Sequence, residues 1–245
     1  VGAFATGIGS SELAAVMLSG KLWFKIPSSV RVVLSGKIPS GVYSKDIVLY
    51  LAKLIGADGA TYKALEFDGE VIDQLSVDAR FTISNMAVEV GAKAGIFPVD
   101  EKTKVWLKEH GREVSKELSI DPQAKYESVI EIDVGKLEPQ VALPHRVDNV
   151  VNISDVGDVP IHQGFIGTCT NGRLEDLEIA GNILEGKQIH PKVRLIVGCA
   201  SKSIYLEAMK RGIIEKLINA GATVIPPGCG PCVGTHAGVP SDGEN

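Results

Sequence analysis

The four cysteines of this 245-residue chain, Cys169, Cys199, Cys229 and Cys232, all fall in its last third. Three of them sit in turns of small residues. Gly167-Thr168-Cys169-Thr170-Asn171-Gly172 holds one thiol, and Pro226-Pro227-Gly228-Cys229-Gly230-Pro231-Cys232-Val233-Gly234, 60 positions further on, holds two. A C-x-x-C turn lets two sulfurs face one site, and its glycines let the backbone wrap closely. Backbone N–H groups in such turns and at helix N-termini stabilise negative charge on thiolate and sulfide. Three thiolates suit several chemistries. Zinc needs a fourth ligand or a water, and His236 stands four residues after Cys232. A four-cysteine iron–sulfur cluster would recruit Cys199. A three-cysteine cluster leaves one iron open as a Lewis acid.

Cys229-Gly-Pro-Cys232 is also letter for letter the redox motif of thioredoxins. That motif should open a long helix, whereas Gly238, Pro240 and Gly243 interrupt the sequence that follows here. Cys199 reads as a structural thiol ending a strand. His110, His145, His162 and His190 are scattered and read as surface or loop residues. Gly7-Ile8-Gly9 lacks the third glycine and the preceding strand of a dinucleotide-binding turn.

A second chemical signal lies in the run 81–92. Glu89 is the only charge between Arg80 and Lys93, and Asn85 stands four residues before it, on the same face of a helix. A helix so apolar reads as buried, and a lone carboxylate in it should be paired, protonated or turned to a polar cavity.

The elements that must carry these residues read as α/β. Hydrophobic residues make up 44% of the chain but aromatics only 5%, with 27 glycines, which suits aliphatic cores joined by tight turns. Helices are predicted at 10–18 (capped by Ser10 or Ser11), 44–55, 78–94 and 102–110. Strands are predicted at 30–34, 60–67 and 96–99. Residues 111–145 read as a charged surface segment with one strand-like run at 128–134. Beyond 146, strands at 163–166, 193–197 and 222–225 alternate with helices at 174–184, 201–210 and 213–220, the pattern of βαβ units and a parallel sheet. Cys169 and Cys229 each follow a strand, and ligands of open α/β sheets gather beyond strand carboxyl ends. The domains are read as 1–26 (the end of a first domain), 27–145, and 146–245 with the cysteine turns. The termini read as those of an internal piece of a longer polypeptide. A net charge of −5 without a basic run argues against nucleic-acid or anionic-membrane partners. No apolar stretch reaches spanning length. Unstapled cysteines and the lack of a signal-peptide pattern point to a cytoplasmic protein.

Together, the two cysteine turns resemble those of the aconitase superfamily. The likeness extends over 1–15, 23–46, 78–102, 143–148 and from 164 onward. Phe97-Pro98-Val99-Asp100-Glu101-Lys102 and Thr235-His236-Ala237-Gly238-Val239 are similar to the large subunits of 3-isopropylmalate dehydratase and homoaconitase. The resemblance implies a [4Fe–4S] cluster on Cys169, Cys229 and Cys232, with its fourth iron open to a hydroxy di- or tricarboxylic acid that loses and regains water. It also implies Asn85 beside the cluster and Glu89 as a catalytic carboxylate near the open iron. The family's serine base would come from a mobile domain on a separate small subunit.

Overall fold

The computed structural model describes residues 1–114, 121 and 123–245, and the chain separates into two compact units, Val1–Asp155 and Val156–Asn245. The first contains α1 (Ser10–Ser19), β1 (Ser29–Ser35), α2 (Ser44–Ile55), β2 (Ala64–Asp68), α3 (Val77–Met86), β3 (Ala94–Ile96), α4 (Glu101–Glu109), β4 (Ser128–Asp133), β5 (Gln140–Ala142) and β6 (Val150–Asn152). Its main sheet is parallel throughout, in the order β3-β2-β1-β4. β1 is central, and its alternate residues Val30, Val32 and Leu34 are buried. α2 packs Ile47, Val48, Leu51 and Ala52 into the same core.

The strand-like run expected at 128–134 forms β4. It pairs in register with β1 from Val30↔Ser128 to Ser35↔Asp133 and buries Ile132. The remainder of that segment at 115–120 and 122 lies outside the described residues. β5 and β6 pair antiparallel, and Val150 joins the first core. Near the start of this unit, Gly2 N–H donates to Phe97 O at 2.8 Å. α1 buries none of its side chains. Its N-cap is Gly9 rather than a serine, and Glu12 accepts the Gly9 N–H at 2.7 Å.

A buried ion pair ties α3 to α4. Arg80 is fully buried and donates to both oxygens of Asp100, at 2.8 and 2.6 Å, and to Ile72 O at 2.9 Å. Asp100 also caps α4 by accepting the Thr103 N–H at 2.9 Å. The guanidinium holds the Asp100 carboxyl well below the usual carboxylate range.

The second unit contains β7 (Gln163–Gly167), a one-turn helix α5 (Thr168–Asn171), α6 (Leu174–Leu184), β8 (Arg194–Gly198), α7 (Lys202–Lys210), α8 (Ile213–Asn219) and β9 (Thr223–Ile225). Its three strands are parallel, in the order β7-β8-β9. Leu177, Val197, Ala208 and Leu217 form its core, with Cys199 among them. Among the described residues, no helix is long and apolar enough to cross a membrane.

Removing one partner of the Arg80–Asp100 pair strands a buried charge. Asp100→Ala is therefore expected to lower the stability of the first unit by about 3–5 kcal/mol in urea unfolding. A depressed carboxyl pKa stabilises the fold fully above its unfolded value of about 3.9 and loses that contribution as pH falls below it. The wild-type protein should thus lose stability steeply below about pH 4, and the variant should lose less over the same interval.

Candidate metal centre

The parallel register places Gly167, Gly198 and Ile225 level with one another at the carboxyl edge of the second sheet. Cys169 lies two residues past the end of β7, and Cys229 lies four residues past the end of β9. Both turns leave from the same edge, about 10 Å apart across β8, or two strand spacings. Cys169, Cys229 and Cys232 are exposed, and no disulfide engages them.

The first turn is tightly determined. Gly167 has φ +147°, and a Cβ there would lie 2.2 Å from Gly198 O. Thr168 is buried at φ +43°, a conformation that costs a non-glycine residue roughly 1–2 kcal/mol. Beyond the thiol, Asp176 accepts from Asn171 Nδ2 at 3.1 Å and from Arg173 N–H at 3.0 Å, clamping the turn to the start of α6. Thr168 Oγ1 donates toward Cys169 Sγ at 3.9 Å, and Thr170 Oγ1 lies 4.0 Å from the same sulfur. The cysteine thus sits among hydroxyls that can satisfy a charged sulfur. Asn171 Oδ1 is buried with no hydrogen-bond partner.

The second turn is a single 3-10 turn, Gly230–Val233, with Cys229 at its start and Gly234 in the left-handed region at its end. Cys232 N–H donates to Cys229 O at 3.0 Å, and Thr235 N–H and Oγ1 both donate to Gly230 O, at 3.2 and 3.1 Å. Gly230 is buried at φ +48°, where a Cβ would meet Ile225 Cδ1 at 2.8 Å. No long helix follows, which removes the structural setting that a thioredoxin-type dithiol requires.

Cys199 belongs to neither turn. It is fully buried, and burial pushes its thiol up to about 11, so it serves packing. His236 lies against the Gly230 backbone, with Cε1 3.6 Å from where a Cβ would stand. Among the described residues, no group of three His, Cys, Asp or Glu is placed to hold a metal ion. A cluster makes a different demand, because each sulfur binds a separate iron corner. Three thiols spread along one sheet edge, among hydroxyls and glycine-rich backbone, fit that donor set.

Asn85 and Glu89 lie in the first unit. The helix expected across them ends at Met86, continues as a 3-10 turn at Ala87–Val90 and stops at Gly91, φ +83°. The tighter winding, about 120° per residue instead of 100°, takes Glu89 off the buried stripe. Asn85 is half-buried and Glu89 is exposed. The reading of Glu89 as a core carboxylate is therefore corrected. The buried charge on this helix is Arg80. Its sequence signal was an arginine in an apolar helix followed, twenty residues on, by a capping aspartate.

The chain is a mixed α/β protein with parallel sheets, one of which carries thiol-bearing turns at its carboxyl edge, and the sequence matches the aconitase family (aconitate hydratase) over residues 1–158 and 154–245. The chain belongs to that family. Among its relatives, it is 58% identical to "3-isopropylmalate dehydratase large subunit 1" of Thermotoga maritima, over the whole chain and 59% of that protein. It is 50% identical to the protein of the same name from Methanopyrus kandleri, over the whole chain and 58% of that protein. It is 52% identical to "3-isopropylmalate dehydratase large subunit 2" of Archaeoglobus fulgidus, over the whole chain and 59% of that protein. The chain thus spans a little under three fifths of the length of these relatives.

The turn geometry makes a paired prediction. Gly172→Ala would set a methyl 2.4 Å from Gly198 O and 2.5 Å from Thr168 O, and should cost about 1–3 kcal/mol. Gly228→Ala, with nothing within 4 Å, should stay within about 0.5 kcal/mol of the parent in the same unfolding experiment.

Proposed function

We propose that this chain is the cluster-bearing part of the large subunit of a [4Fe–4S] hydro-lyase. The reaction is the isomerisation of 2-isopropylmalate to 3-isopropylmalate by loss and re-addition of water, as in leucine biosynthesis. One observation carries the reading. Three exposed thiols leave one edge of a parallel sheet in a chain about half identical, along its whole length, to large subunits of that name. Those names favour isopropylmalate over homocitrate as substrate, and their "large subunit" supports a small partner subunit carrying the mobile domain.

In this reading Cys169, Cys229 and Cys232 hold the cluster. When bound, it supplies a Lewis-acid iron that polarises the hydroxyl to be eliminated. The chain's own residues do the rest. Thr168, Thr170 and the glycine-rich backbone stabilise the charged sulfurs. Asn85 is assigned a place beside the cluster. Glu89, an exposed carboxylate, is assigned the transfer of a proton to and from the departing oxygen. The base that removes the C–H proton is assigned to the small subunit. The uncovered side of α1 is read as the end of a preceding domain. Thiols that must stay reduced to serve as ligands favour a cytoplasmic setting.

Anaerobic reconstitution of the full polypeptide with iron and sulfide should give a brown protein with broad visible absorbance, and with its small subunit it should interconvert the two isopropylmalates. Serine at 169, 229 or 232 should each abolish both. A colourless protein carrying one zinc would contradict the reading. Glu89→Gln should keep the colour and lower kcat by roughly 10²–10⁴-fold, and full activity in that variant would remove Glu89 from the mechanism.

A further inference from the structure

We infer that Arg173 is a positioning residue of the cluster: its guanidinium, held against Cys169, supplies the positive charge that keeps the cluster's electrons in place. The inference rests on the cluster reading above and adds to it a side chain that is not itself a ligand.

Neither cysteine turn has a charge of its own. Residues 167–172 and 226–235 contain no Lys, Arg, Asp or Glu, and Arg173 is the first charged residue after Cys169. It stands where the first turn meets α6, on a backbone fixed from several sides. Its N–H donates to Asp176 at 3.0 Å, and its carbonyl accepts from Leu177 N–H at 3.1 Å. The preceding Gly172 donates to Thr168 O at 3.0 Å and accepts from Ala200 N–H at 2.9 Å. From this point the half-buried side chain folds back over the turn, with Nε sheltered from solvent and Nη2 3.4 Å from Cys169 O. A cysteine's carbonyl oxygen and its own sulfur lie within about 4.5 Å of each other, so the cation stands within roughly 8 Å of the ligand sulfur. That is about one Debye length at physiological salt, and partial burial weakens the screening further.

Three thiolates on a doubly positive core leave the assembly with a net negative charge. A cation at this distance favours its more electron-rich state, and cluster potentials follow local charge in this way. Two electron transfers report the effect. In reduction, a viologen radical gives the cluster one electron and becomes the oxidised viologen. In oxidation, ferricyanide takes one electron from the cluster and becomes ferrocyanide. The open iron then leaves as Fe2+, and a three-iron core remains. Arg173 favours the first transfer and opposes the second. Without it, the carboxylate of Asp176 remains at the turn and pushes the balance the same way.

The test uses the full polypeptide reconstituted anaerobically, with equal iron and sulfide per chain in each variant. The cluster is poised with viologen mediators and read by electron paramagnetic resonance. At a fixed solution potential, Arg173→Gln should lower the ratio of reduced to oxidised cluster roughly tenfold, a fall in potential of about 59 mV for one electron. It should also lose its open iron to ferricyanide roughly tenfold faster. Arg173→Lys keeps the charge without the fork and should stay within about threefold of the parent in both measurements. Should the glutamine variant take up no iron, the lysine variant decides alone. A glutamine variant at the parent's potential would overturn the inference, and so would a lysine variant shifted by the full tenfold. An unchanged potential with a raised KM for isopropylmalate would make Arg173 a substrate contact and overturn it as well. Failure of the parent protein to take up a cluster would overturn the cluster reading itself, and this inference with it.

Discussion

The structure's chemical potential depends on strand register. Because β7, β8 and β9 run parallel and Gly167, Gly198 and Ile225 stand level across them, segments separated by 60 residues emerge from one edge. A shift of one residue in either pairing would turn alternate side chains to the opposite face of the sheet, and Val197 and Ile196 would exchange surroundings. The hydrophobic layer around Leu177, Leu217 and Ala208 therefore fixes where the thiol turns begin. The turns then add conformations that only their own sequences permit. Gly167 passes over the Gly198 carbonyl, and Gly230 passes over Ile225.

The first unit is built on the same principle, with a different weak point. Its aliphatic core forgives conservative substitution, but Arg80 at its centre requires Asp100. That pair fixes α4 against α3, and the residues assigned to chemistry follow directly, on α3 and the 3-10 turn after it. The path from Arg80 to Asn85 is about one and a half helical turns, so the buried cation and the assigned polar residue are carried on a single rigid piece. Glu89 lies one step further, past the change to 3-10 winding, where the chain gives up burial and presents a carboxylate to its surroundings.

Much of this was legible in the sequence where pattern and packing agree. The helices at 44–55 and 174–184 were read to the residue, because their apolar stripes match the sheet faces they cover. The parallel alternation and the strand-end position of the cysteine turns followed from the same periodicity, and the joint cysteine motifs led to the family. What was not legible depends on distant partners. Three-residue strands such as β3 give too short a pattern, and the strand expected at 96–99 starts two residues too late. Val150 revealed which core it joins only in three dimensions. The burial of Glu89 was inferred from composition, but a change of helical winding at Ala87 decides it, and no residue in that run announces the change.

The central claim is that three sulfurs from two turns hold a cluster with one iron that no protein sulfur reaches. Mössbauer spectroscopy of the full polypeptide reconstituted with iron-57 tests it most directly. The account predicts two kinds of iron in a ratio of about three to one, with only the minority signal shifting when isopropylmalate is added. A spectrum of equivalent irons that ignores the hydroxy acid would contradict it.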